Sequence, residues 1–117
     1  MHKSKSLLFA LLEHLEKENS SHLQGTKSVF VNNDDATSSL TQFAQGLMKK
    51  GEASGFHSHK TMDEYFYFIK GNGFFCIGTE NFEIVPASFI RVPAGTIHNL
   101  SNEYEEVLEF VYFGIAL

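Results

Sequence analysis

Gly51-Glu52-Ala53-Ser54-Gly55-Phe56-His57-Ser58-His59 is the stretch on which the fold of this chain is decided. Alternate residues of a strand share a face, so His57 and His59 point the same way, spaced to touch one small ion. Two histidines alone are a weak signal, and the residues downstream give them weight. Glu64 opens the next apolar run, and Gly71 closes it with a turn. Further on, Pro93-Ala94-Gly95-Thr96-Ile97-His98 reverses the chain and delivers His98 onto a new strand, with Asn102 four residues later. Three imidazoles and a carboxylate suit a divalent first-row metal, and a set without thiolate argues against a soft-metal site.

Around this stretch the chain alternates short apolar runs with turns. Ser28 to Val31 and Leu40 to Met48 read as strands joined by Asn32-Asn33-Asp34-Asp35. Glu64 to Ile69, Phe74 to Ile77, Phe82 to Val85, Phe89 to Val92 and Glu106 to Phe113 follow, separated by Gly-, Asn- and Pro-bearing turns. Short strands at near-regular spacing indicate a sandwich or barrel. Several, such as Tyr65-Phe66-Tyr67-Phe68-Ile69, are apolar on both faces and call for a second layer outside. Upstream, Leu7, Leu8, Leu11, Leu12 and Leu15 recur at helical spacing, which predicts an amphipathic helix of about three turns. That helix and a second copy of the chain are the expected covering layers.

The two histidine-bearing segments resemble the paired motifs of the cupin superfamily. The first, G-x5-H-x-H-x3-4-E-x6-G, is matched by Gly51, His57, His59, Glu64 and Gly71; the second, G-x5-P-x-G-x2-H-x3-N, by Pro93, Gly95, His98 and Asn102. The one departure is Ala87, which stands where the second motif opens with glycine. The resemblance implies an all-β, antiparallel jelly-roll barrel (a double-stranded β-helix), here with one N-terminal α-helix. Residues 1–25 would form the helix and linker, and residues 26–117 the barrel. It also implies a metal near one mouth, held by His57, His59, Glu64 and His98. Both Asp63 and Glu64 suit the tolerated spacing, but only Glu64 places Gly71 at the motif's distance. Asp63 then orients a ligand or faces solvent.

Alternation from Glu64 turns Phe66 and Phe68 inward, and His98 brings Leu100. The expected pocket is apolar and aromatic, suited to a small organic ligand. Arg91 is a candidate anchor for a substrate carboxylate, with a solvent-facing arginine the competing reading. Tyr65, Tyr67 and Tyr112 are available phenols whose faces the pattern leaves open. Iron or manganese are the first candidates for the ion, with nickel, zinc and copper compatible. The resemblance favours a metal-dependent enzyme, related to dioxygenases or to sugar-phosphate isomerases. The alternatives are a non-catalytic ligand-sensing module and a metal-free epimerase working through a His–carboxylate base and a Tyr acid.

Composition narrows the classes. The 117 residues suffice for one domain. A net charge of -5 with no basic stripe disfavours nucleic acid as a partner. The six-residue apolar run Leu7–Leu12 is followed at once by Glu13, too short for a signal peptide or a membrane span, so a cytoplasmic protein is expected. The single Cys76 cannot make an intrachain disulfide and reads as a small buried hydrophobe. The 12 phenylalanines must be buried in a core or an interface.

Overall fold

The computed structural model describes residues 9–20 and 24–117. Among the described residues nine strands follow in order: β1 (Glu18–Asn19), β2 (Thr26–Asn32), β3 (Leu40–Met48), β4 (Met62–Lys70), β5 (Gly73–Ile77), β6 (Glu80–Ile84), β7 (Phe89–Val92), β8 (His98–Ser101) and β9 (Leu108–Ala116). They form two antiparallel sheets, one ordered β1-β2-β3-β9-β4-β7 and one ordered β6-β5-β8. This is the all-β jelly-roll barrel that the resemblance implied.

The core lies between the sheets. Phe66, Phe68, Leu108 and Phe110 of the large sheet meet Phe75, Ile84 and Leu100 of the small one. Phe68 and Phe75 are fully buried, and each such side chain contributes on the order of 2–3 kcal/mol. Gly71, which ends β4, sits at φ +87°, and a Cβ there would lie 2.6 Å from the Val107 carbonyl oxygen. Only glycine allows the β4–β5 turn to pass this close to the start of β9.

The N-terminal helix is a correction. Leu7 and Leu8 lie outside the described residues, and Leu11 to Leu15 hold only a single 3₁₀ turn at Leu12–His14. The chain then extends into β1, whose Glu18 and Asn19 pair with Lys27 and Thr26. A short leucine stripe gains little from helix propagation once nucleation is counted. Instead, Leu12 and Leu15 share a cleft with Ser28, Gln45, Leu47 and Glu109 on the outside of the large sheet. Cys76 also departs from expectation: it is half-buried on the outer side of β5, its thiol toward the Gly78 carbonyl at 3.7 Å. Among the described residues no helix is long and apolar enough to cross a membrane.

Candidate metal centre

The histidine segment reaches the barrel by running antiparallel to β8. Gly51 donates its N–H to the Asn102 carbonyl (2.6 Å), Asn102 returns one to Glu52 (3.0 Å), and Ser54 donates to Leu100 (2.8 Å). His57 and His98 then form a directly opposed pair, exchanging both backbone hydrogen bonds at 3.1 and 2.9 Å. Opposed residues project to the same side of a sheet, so the two rings meet with centroids 4.2 Å apart. His59 lies two residues on, its carbonyl held by the Gly95 N–H at 2.8 Å. Glu64 enters from β4, flanked by Val92 on β7 and Gly114 on β9.

Among the described residues these four offer donor atoms that all lie within 4.8 Å of one another. One carboxylate oxygen of Glu64 is 3.1 Å from His98 Nε2 and 3.5 Å from His59 Nε2. The outward nitrogens of two rings are spoken for: His57 Nδ1 lies 2.7 Å from the Gly55 carbonyl and His98 Nδ1 2.9 Å from that of Thr96. A carbonyl only accepts, so each Nδ1 carries the proton and each Nε2 is the nitrogen that faces the cluster. Burial pulls the His57 pKa below its ordinary value, outweighing the Gly55 hydrogen bond that raises it. Burial pushes the Glu64 pKa up, but the His98 hydrogen bond and the surrounding imidazoles outweigh it and hold the carboxyl below its ordinary range. A neutral His57 and an ionised Glu64 are the protonation states that a metal ion requires. The donor set therefore fits a divalent ion.

Asp63 plays a different part from its neighbour. It points away from the cluster, accepting the Ala94 N–H (2.8 Å) and an Arg91 guanidinium N–H (2.9 Å). The Ala94 amide and then Arg91 hold its pKa below the usual carboxylate value. Asp63 thus pins the Pro93–Gly95 turn that sets the position of His98. Asn102 is fully buried and ties three segments together. Its side-chain amide donates to the carbonyls of Met48 and Glu106, both at 3.0 Å, and its oxygen accepts the Tyr104 N–H at 2.7 Å.

Behind the cluster lies a cavity of about 50 Å³, lined by His57, Glu64 and His98 and by Phe66, Phe75, Leu100, Phe110 and Tyr112. Phe66 and Leu100 are where alternation placed them. Phe68 is a correction: it faces inward as expected but sits deeper along β4, packed against Phe75 and Phe110 in the core. Arg91 is a second correction as a substrate anchor. On β7 the buried faces belong to Ile90 and Val92, so Arg91 projects outward to Asp63. Among the described residues that line the cavity there is no Lys or Arg. Lys27, on β2, is engaged with Gln42 at 3.0 Å.

Tyr112 is the lining residue whose face the sequence left open. Its ring stacks on Phe66, centroids 5.4 Å apart, opposite the small Ala44. Burial, and then the nearby Glu64 charge, raise its pKa, so the phenol stays protonated. The row Leu108–Phe110–Tyr112–Gly114 shares the inward face, because Gly114 is paired with Glu64 across the sheet.

A family model described as the Cupin domain matches residues 46–114, more than half of the chain and all four clustered residues. The chain belongs to the cupin family. An uncharacterized protein of Methanocaldococcus jannaschii is 29% identical to this cupin over 59 residues. That alignment covers 50% of this chain and 47% of the relative, so this cupin matches less than half of that protein's length. Among solved structures, a predicted oxalate decarboxylase from Thermotoga maritima superposes with a TM-score of 0.87 at 19% identity, covering 93% of this chain and 99% of that one. A putative sugar phosphate isomerase from Acidithiobacillus ferrooxidans superposes at 0.78 and 19% identity, covering 95% and 76%. At such identities the likeness is one of fold.

Proposed function

We propose that this cupin is a mononuclear metal-dependent enzyme acting on a small, largely apolar organic molecule by oxygenase-type chemistry. His57, His59, Glu64 and His98 would be the protein ligands. The observation that carries the reading is the opening of this donor cluster onto an aromatic cavity that three of its four members line. Iron or manganese is the preferred ion, with nickel, zinc and copper compatible with the same donors. When bound, such an ion supplies Lewis acidity and open positions for water, dioxygen or a substrate oxygen.

The chain's own residues do the rest. Phe66, Phe75, Leu100 and Phe110 exclude water and select an apolar body of a few heavy atoms. Tyr112, protonated, is placed to donate a hydrogen bond to an oxygen of whatever occupies the cavity. A phosphorylated substrate, of the kind the Acidithiobacillus protein's name denotes, would meet no lining Lys or Arg among the described residues. That weighs toward the oxygenase reading over the isomerase one.

A metal-free reading has one observation in its favour. Glu64 and His98 are hydrogen-bonded at 3.1 Å beside the Tyr112 phenol, an arrangement able to serve as base and acid. Dioxygen uptake by protein reconstituted with Fe(II) or Mn(II), screened over small phenols and hydrophobic ketones, tests the main proposal. Uptake abolished in His98→Ala supports it. A metal-replete protein that binds these compounds and consumes no oxygen would make it a sensing module. Turnover by metal-free protein would favour the acid–base pair.

A further inference from the structure

A cleft of about 510 Å³ lies on the outer face of the large sheet, between the N-terminal segment and strands β2, β3 and β9. Small-molecule sites usually measure about 300–1,000 Å³, with apolar walls and a few placed polar groups. This cleft has that composition. Leu12 and Leu15 supply apolar wall from the N-terminal segment, and Leu47 supplies it from β3. The floor is polar. Ser28 and Gln45 stand directly opposed on β2 and β3, so their side chains are neighbours on one face of the sheet.

Both floor residues are deeply buried, Ser28 at 1% exposure and Gln45 at 5%, and both line the cleft. Neither side chain hydrogen-bonds another described residue. Buried polar groups in folded proteins are nearly always paired, and an amide removed from water without a partner carries its full desolvation cost. Such a floor favours a ligand that supplies the missing partners.

We infer that the cleft is a second binding site, for a small neutral molecule with an apolar body and an amide edge. The Gln45 carboxamide presents a carbonyl and an N–H side by side. Its complement is another amide with the two groups reversed, which closes a cyclic pair of hydrogen bonds, and the Ser28 hydroxyl adds a third. The rim sets the charge. Glu13 and Glu109 stand against Lys17, and Lys70, the neighbour of Glu109 across the strands, contacts Glu106 at 3.9 Å. A rim with this excess of carboxylates disfavours an anionic ligand, which the Ser28 and Gln45 donors would otherwise accept. The site does not depend on the metal centre. Ala44, next to Gln45, is buried on the inner face opposite Tyr112, so cleft and cavity lie on opposite faces of β3.

Titration of benzamide into isotope-labelled full-length protein, followed by heteronuclear NMR, tests the inference, with benzoate as the anionic probe of the same shape. Benzamide is expected to shift the Gln45 side-chain amide and the Ser28 and Leu47 backbone amides saturably, and to bind at least ~10-fold tighter than benzoate. Gln45→Met keeps the length of the side chain without its hydrogen bonds. It should weaken benzamide at least ~10-fold, read at Leu47, while the rest of the amide spectrum stays in place. No saturable shift at these residues, benzoate binding as tightly, or a folded Gln45→Met with unchanged affinity would overturn the inference. Shifts confined to Leu100 and Tyr112 would place the amide in the metal-side cavity and do the same. Cleft signals that follow protein concentration and ignore benzamide would also overturn it, because a second copy of the chain would then be the occupant.

Discussion

Replacing Ala87 with glycine should stabilise the barrel. Val85-Pro86-Ala87-Ser88 closes on itself through the Ser88 N–H to the Val85 carbonyl at 3.0 Å, and Ala87 sits at φ +71°. Proline second and a positive φ third make a type II turn, whose third position favours glycine. Among the described residues Ala87 is the one non-glycine with positive φ. It is held there because its N–H bonds the Phe68 carbonyl at 2.7 Å while the Phe68 N–H bonds Ser88 at 3.0 Å. The left-handed conformation costs an L-residue about 1–2 kcal/mol. Glycine removes that strain and returns about 0.4–1 kcal/mol to the unfolded chain as added freedom. The Ala87 side chain is exposed, so little packing is lost. The net gain is about 0.5–1 kcal/mol, a rise in Tm of about 2–5 °C. Thermal and urea unfolding of metal-free protein, followed by circular dichroism, reads this directly. An unchanged or lowered Tm would refute the turn assignment.

Other substitutions separate structure from chemistry. Asn102→Ala removes three side-chain hydrogen bonds from a fully buried site and should cost about 2–4 kcal/mol; urea unfolding shows whether it does. Arg91→Ala should leave the affinity for carboxylate-bearing ligands unchanged, since Arg91 faces Asp63 outside the cavity, and calorimetric titration checks this. Protons compete with metal for imidazole, so affinity should be level from pH 8 to 7 and fall by at least about tenfold by pH 5. Burial lowers the His57 pKa, so that ring loses its ligand capacity only below the ordinary imidazole value of 6.5. Competition with a chelating dye across that range measures the fall, and affinity rising toward acid would contradict it.

The strand pattern carried much of this fold because turn chemistry marks strand ends clearly. Leu40–Met48 and Phe89–Val92 have the expected bounds, each preceded by a serine. The clustering of His57, His59, Glu64 and His98 was legible through their motif spacing. Leu11, Leu12 and Leu15 were misread because periodicity describes a helix's face but not whether packing of the extended segment against the large sheet competes with it. Alternation set the side on which Phe68 lies but not its depth, and depth separates a core residue from a cavity wall. Arg91 was readable as outward from the apolar Ile90 and Val92 on either side. Tyr112 was not, since β9 is apolar on both faces and only the pairing of Gly114 with Glu64 orients it.

The metal centre is tested most directly by elemental analysis of protein purified without added metal or chelator, beside His98→Ala. The structure leads us to expect close to one first-row ion per chain in the wild type, lost in the variant while its circular dichroism is unchanged. A wild type without metal even after reconstitution, or a folded His98→Ala with undiminished metal, would contradict the ligand set.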